Sequence, residues 1–306
     1  MGLYLLRRVI HSIFVLWGAV TVVFIVVRLV PGDPAQMMFG AQASAEDVAA
    51  LRQRMGLDRP VPVQYVSFLL NVSRLDLGTS LTLDQPAVGA VASRLPATAL
   101  LAVSAMTIAL ALSLPLDTLA ALRRGSALDR VVSGLSLIGQ AVPSFWIGIM
   151  FILIFARVLQ WLPSSGIGGW KHWLLPAVTL ALPVVGVLTR LMRSGLLEVL
   201  GTDFIRTAHA KGLTNRSVVT RHAFRNALIP VITVAGLQFG SLLAGAVIVE
   251  TVFAWPGAGR LLIDSITRRD YPVVQASVLF ITTGFILVNL IIDLSYGFLD
   301  PRIRFG

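Results

Sequence analysis

Six stretches of the chain are apolar for long enough to cross a hydrocarbon core, which takes about 20 helical residues. They lie near residues 9–30, 98–122, 131–155, 173–192, 229–253 and 273–296. Their apolar positions run round every face instead of forming the one-sided stripe of a soluble helix, so they predict spans solvated by lipid. The first run is too long for the apolar core of a cleaved leader and lacks a small-x-small cleavage site. It reads as an uncleaved span. Pro115, Pro143 and Pro183 fall in or at the start of runs two to four and predict kinks. Gly236 and Gly240, continued by Ala244 and Gly245, put a small face on run five. That face reads as a packing seam or as the lining of a wide route.

Between runs one and two lies a mixed segment, 31–96. Pro31-Gly32-Asp33-Pro34 stops the first span, because neither proline can continue a helix interior. Ser44 predicts a helix start, with Glu46 and Asp47 in the first turn where the macrodipole favours acids, and Gly56 its end. Pro60 and Pro62 open a second helix, with Tyr65, Phe68 and Leu69 on its apolar stripe. Asp84 is placed to cap a third, ending at Leu95-Pro96. The segment reads equally as a packing cap over the spans and as a docking surface for a soluble partner.

Composition agrees with a lipid solvent. Hydrophobic residues make up 56% of the 306 residues and charged residues 13%, with a mean hydropathy of +0.82. A soluble domain carries about 25% charged residues. The net charge of +10 then suits an anionic membrane surface better than nucleic acid. Arginine and lysine collect on one set of short segments: Arg7 and Arg8; Arg123, Arg124 and Arg130; Arg190 and Arg193 through Arg225; Arg302 and Arg304. The positive-inside rule makes that set cytoplasmic, with both termini. The spans carry almost no charge. Arg28, Asp117 and Asp293 fall near predicted ends, where a side chain reaches the interface, and Asn289 shares a face with Asp293. A proton- or sodium-driven carrier is expected to hold acids or broken helices at mid-span. No such acid is evident, which argues for an external energy source.

The segment 203–230 is the only long basic stretch between two spans, with Arg206, Lys211, Arg216, Arg221 and Arg225 against Asp203. It predicts a helix over 198–211, a break at Gly212, a cap at Thr214 and a second helix ending before Pro230. Two readings stand: a basic anchor that sets orientation, or a helix pair that plugs a groove on a soluble partner.

No enzyme chemistry is apparent. There is no cysteine, hence no disulfide, thiolate metal site or cysteine nucleophile. His11, His172, His209 and His222 are scattered without metal-ligand spacing. No Gly-x4-Gly-Lys-Ser/Thr phosphate loop occurs.

The 203–230 segment resembles the cytoplasmic signature loop of permease subunits of binding-protein-dependent ABC importers. Arg206-Thr207-Ala208 stands where the general pattern has Glu-Ala-Ala, Gly212 keeps its spacing, and Leu228-Ile229-Pro230 approximates the end. The Arg-Thr-Ala-x-Ala-Lys-Gly form is that of the oligopeptide, dipeptide, glutathione and nickel subgroup. Further motifs follow the B-type subunit of that subgroup in order: Pro31 to Pro34; Gly56-Leu57-Asp58-x-Pro60 with Gln64-Tyr65; Asp76-Leu77-Gly78-x-Ser80; Arg94-Leu95-Pro96-x-Thr98; Glu250-x-Val252-Phe253-x-x-Pro256-Gly257-x-Gly259-Arg260; and Arg269-Asp270-Tyr271-Pro272.

The resemblance implies an all-α membrane protein of six transmembrane helices in the type I importer fold. It would comprise residues 1–30 as first span, 31–96 as a small helical periplasmic subdomain, 97–297 as the permease core with a coupling loop at 195–228, and 298–306 as a cytoplasmic tail. It implies a multi-pass protein of the bacterial inner membrane that does no covalent chemistry and has no catalytic or metal-binding residue. A second, homologous permease subunit would complete the pathway. Two ATPase subunits or domains, which would bind the ATP and magnesium, and a periplasmic solute-binding protein would be its further partners. Arg206, Thr207, Ala208, Ala210, Lys211, Gly212 and Leu213 would couple to an ATPase, and Glu250, Phe253, Pro256 and Gly257 are candidates for an outer gate. Peptides or glutathione would be the cargo, with nickel or another small solute as the alternative. A stand-alone secondary transporter and a non-transporting sensor or scaffold are the other classes.

Overall fold

The computed structural model describes residues 2–29, 44–54, 56–80 and 82–299. The proline stop at residues 31–34 and the tail with Arg302 and Arg304 lie outside them. Helix α1 is Gly2–Leu29, α2 Ala45–Arg54, α3 Val61–Ser73, α4 Ala87–Ala92 and α5 Leu95–Leu122. Then come α6 Ala127–Ala141, α7 Ser144–Val158, α8 Trp170–Leu200, α9 Asp203–Ala210, α10 Asn215–Val252, α11 Ala258–Thr267 and α12 Tyr271–Leu299. Among the described residues, five helices are long and apolar enough to cross a membrane, or six if the bent pair α6 and α7 counts as one span.

That pair is where the third predicted span departs from a straight rod. The two helices meet at 107° across Val142-Pro143. Val142 is extended, with ψ 128°, as expected before a proline whose ring clashes with an α-helical neighbour. Pro143 then opens α7, whose second half, Ile152–Val158, widens into a π-helix.

The chain divides into two compact units, residues 1–98 with 256–290, and residues 99–255 with 291–306. In the first, Val20, Leu77, Ala87, Val91, Ala258, Val273, Ala276 and Leu279 form a buried cluster, with Phe68 and Leu69 of α3 packed against it. Ser44 caps α2 as expected, accepting the Asp47 N–H at 3.1 Å. Phe24 of α1 meets the Tyr65 and Phe68 rings at 5.0 and 5.4 Å. Arg28, at the end of α1, stacks 3.4 Å over Phe24 and donates to Gln64 Oε1 at 2.6 Å.

The expected helix from Asp84 is corrected. A two-residue hairpin, β1 Thr79–Ser80 with β2 Gln85–Pro86, occupies that place. Asp84 sits in its turn at φ 50°, a left-handed conformation that aspartate tolerates better than most residues. Helix α4 begins only after Pro86, and Leu95-Pro96 opens α5 instead of closing a helix. Proline suits a first turn, where its missing N–H has no partner to lose.

In the second unit α8 is the central element. Its most apolar window is 56% buried, against 11% for α1, and it packs on α6, α7 and α10. The α6–α8 crossing is closed by glycines: a methyl on Gly139 would lie 2.9 Å from the Leu182 carbonyl oxygen, and one on Gly186 would strike the Ser136 carbonyl. The small face of α10 is a seam within this chain. A methyl on Gly236 would sit 2.8 Å from Ile292 of α12, and one on Gly245 3.3 Å from Leu180 of α8.

Asp129 ties the start of α6 to α8. Arg193 Nε and Nη2 donate to its two carboxylate oxygens at 2.6 and 2.9 Å, and the Gly125 N–H adds a bond at 2.9 Å. Asp117 departs from its expected interfacial place. It is fully buried, and neither carboxyl oxygen has a hydrogen-bonding partner among the described residues. Its short side chain, five residues from the end of α5, cannot reach the interface. It faces inward beside the Thr189 side chain of α8.

Candidate functional site

The basic segment between α8 and α10 holds a separate short helix. The predicted helix over 198–211 is broken in two, because α8 runs on to Leu200 and stops at Gly201. Helix α9 then starts at Asp203 behind Thr202, which is extended at ψ 156°. Lys211 and Gly212 close α9, with Gly212 at φ 77°, where a residue bearing a Cβ is strained. The cap at Thr214 forms as expected, its hydroxyl accepting the Ser217 N–H at 3.4 Å.

The second predicted helix does not end before Pro230. Helix α10 runs unbroken from Asn215 through Pro230 to Val252. Its early turns, Val218–Ala223, are π-helical. Proline forfeits one N–H bond, and a long helix anchored on both sides of it absorbs that loss. The basic segment from Asn215 onward and span five are therefore one continuous rod.

Helix α9 is two-faced. Ile205 and Ala208, three residues apart, are 3% and 7% exposed and turn towards the π-helical turns of α10. Arg206, Thr207, Ala210, Lys211, Gly212 and Leu213 are exposed. Six of the seven predicted coupling residues thus share an open surface, while Ala208 packs inward on this chain. Phe204 was missed: an aromatic 44% exposed, on the outer face. Its signal in the sequence is its offset from the Ile205–Ala208 stripe. Arg206 reaches Asp203 at 3.1 Å, but the pair is fully solvated, at 79% and 93% exposure, and adds little.

The second candidate group does not form an open surface. Glu250 is fully buried and Phe253 is 2% exposed. Phe253 packs in the second unit against Gly148 of α7, where a methyl would lie 3.0 Å from its ring, and its carbonyl accepts the Gly166 N–H at 3.4 Å. The Trp255 N–H closes the turn on the Glu250 carbonyl at 2.8 Å. Ala254 takes a positive φ, 51°, in this turn. Pro256 is half-buried and Gly257 buried. Gly257 precedes α11 at φ −88°, and α11 is held by the Ala258 N–H donating to Thr98 Oγ1 at 2.9 Å. Glu250, Phe253 and Gly257 are thus buried, and Pro256 half-buried, each within its own unit.

A rod-like basic segment carrying a detached two-faced helix, on a scaffold of apolar helices around α8, is the architecture of a transport permease. A family model described as "Binding-protein-dependent transport system inner membrane component" matches residues 113–305, and that of the N-terminal part of such membrane components matches residues 1–102. The chain belongs to this family: it is a membrane-spanning permease of an ABC importer, the kind that works with ATPases and a solute-binding protein. Among its relatives, the glutathione transport system permease protein GsiC of Salmonella choleraesuis (strain SC-B67) is 42% identical over 302 residues, 99% of each chain. The protein of that name from Escherichia coli O6:H1 (strain CFT073) is 39% identical over the same length. Two solved structures share the fold. One is the inward-facing MetNI methionine ABC transporter, with TM-score 0.56, 18% identity, and coverage of 69% of this chain and 96% of that one. The other is an amino acid ABC transporter with histidines, at TM-score 0.50, 19% identity, 67% and 92%.

Proposed function

We propose that this chain is one half of the translocation pathway of an importer for glutathione or short peptides, paired with a second, homologous permease. The observation that carries the coupling role is α9. Its inner stripe, Ile205 and Ala208, is satisfied by this chain, while Phe204, Thr207, Lys211 and Leu213 are exposed on its outer side. A short helix presenting one aromatic and several small or basic residues suits a groove on a soluble ATPase. The basic loops support a cytoplasmic side for α9 and both termini, with residues 31–96 and 250–272 outside. ATP and magnesium would be bound by the ATPases. Closure of two ATPase domains would push α9, and through the unbroken α10 the pathway itself. The glutathione named for the 42% identical relative, together with the Arg-Thr-Ala-x-Ala-Lys-Gly form, supports a peptide-like cargo.

The test is co-purification in mild detergent followed by uptake into proteoliposomes. A second permease and one or two ATPases should come with the tagged chain. Glutathione or dipeptide should accumulate only with ATP and a binding protein present. Recovery of the chain alone would defeat the reading.

A further inference from the structure

The hairpin of the first unit, the turn before α5 and helix α11 line an open pocket of about 200 Å³. Its charged lining is Arg94, Arg268, Asp264 and Asp270, with Thr82 and Ser265 between them. The frame is fixed from below. Ser80, 1% exposed, donates its hydroxyl to the buried Asp270 carboxylate, and the same hydroxyl oxygen accepts the Leu83 N–H at 2.9 Å. Arg269 takes φ 59°, a left-handed turn between Arg268 and Asp270 of a kind that clusters at functional sites. Asp270 is thus occupied within the frame.

The other charges are not. Neither the Arg94 nor the Arg268 guanidinium makes an ion pair or side-chain hydrogen bond among the described residues. Asp264 meets Arg260 only at 3.6 Å, with both about half exposed. Two open guanidiniums lining one pocket with the loosely held Asp264 and the frame-bound Asp270 match a ligand carrying both signs, whereas a simple anion would have to sit beside two carboxylates. The volume lies below the roughly 300 Å³ at which sites begin to enclose drug-sized molecules. It suits an amino acid or one end of a peptide.

We propose that this cavity binds the zwitterionic end of a small solute, an amino acid or the end of a short peptide, with its carboxylate on Arg94 and Arg268 and its ammonium on Asp264. The site rests on the orientation given above, which turns it to the side where solute arrives. It would hold cargo weakly on the permease itself, independently of any binding protein.

The test uses the full chain in nanodiscs, without binding protein or ATPases, with glutathione and L-glutamate as probes in saturation-transfer NMR. Saturable binding with a Kd on the order of 1 mM is expected, as suits a small ligand held by a few contacts. Arg268→Gln and Arg94→Gln should each weaken it by about 10-fold or more. Arg268→Lys should retain part of it, and N-acetyl-glutamate, which lacks the ammonium, should compete poorly. Both arginines are exposed, so the thermal midpoint should stay unchanged and report folding. Absence of saturable binding, or equal binding by both Gln variants, overturns the site. Co-purification of ATPases is scored separately. Its success alongside a failed binding test rejects only the cavity, and its failure alongside good binding rejects only the importer role.

Discussion

At the scale of single residues, the α6–α8 crossing sets a sharp constraint. A side chain at Gly139 or Gly186 would meet backbone carbonyls of the facing helix, which cannot swing aside as a flexible side chain could. Gly186→Val should therefore lower stability in detergent by about 1–3 kcal/mol, the usual range for overpacking, read as a drop in thermal midpoint. Gly284→Val, at a glycine with open space around it, is the control. The Asp129–Arg193 pair is the second constraint. Its geometry is two-pronged and Asp129 is only 7% exposed. Arg193→Gln should lower the thermal midpoint by removing both charge-assisted hydrogen bonds from that carboxylate, with Arg193→Lys between the two. Neither feature was legible in the sequence. Asp129 and Arg193 are 64 positions apart, and nothing local marks them as partners. Asp117 was seen but misplaced: its distance from the end of its span suggested the interface, and which way it points depends on α8.

At the scale of elements, the sequence read existence better than boundaries. Ser44, Gly56, Gly212 and Thr214 marked true ends, because each acts through its own backbone or the nearest few N–H groups. Pro143 and Pro230 show why the rest was missed. Both are prolines in apolar helical sequence, yet one lies at a 107° bend and the other sits inside a 38-residue helix. What differs is the tertiary surroundings that absorb the lost bond, and these are not local. For α9 the consequence is testable. Gly212→Pro forces φ near −65° where the chain holds 77°, and Ala208→Glu would bury a charge on the inner stripe. Either should abolish ATP-driven uptake while the protein still inserts. Phe204→Ala leaves α9 folded and should loosen ATPase co-purification by about 10-fold, as loss of an aromatic anchor does. Unchanged uptake by the first two, or unchanged co-purification by the third, would remove α9 from the coupling path.

At the scale of the whole molecule, the balance of charge and apolar surface was the most legible property. Composition alone identified the solvent, and the uneven arginines proposed an orientation before any helix was placed. Energy source is the matching prediction. Uptake by the assembled complex should stop when ATP is depleted and persist when the proton gradient is collapsed with an uncoupler. The opposite result would make the buried Asp117 a coupling carboxylate and the chain a secondary carrier. The described motifs along 56–98 and 250–272 carry contacts within their own units. They form the hairpin, the Thr98–Ala258 bond and the Ser80–Asp270 pair that hold the first unit together.

The bend between α6 and α7 also bears on how the protein is made. Each arm is 15 residues long, about 22 Å at 1.5 Å per residue, short of the roughly 30 Å hydrocarbon layer. A translocon that has released only residues up to about 160 would hold two half-spans, neither able to settle alone. The arms become a stable membrane element when α8 arrives to fill the crossing at Gly139 and Gly186. In nascent chains truncated at residue 160, single cysteines introduced along residues 127–158 should react with a water-soluble maleimide, and in chains truncated at residue 200 they should be protected. Biogenesis of the permease would then be post-insertional at its centre, with the third span completed only after the fourth has been synthesised.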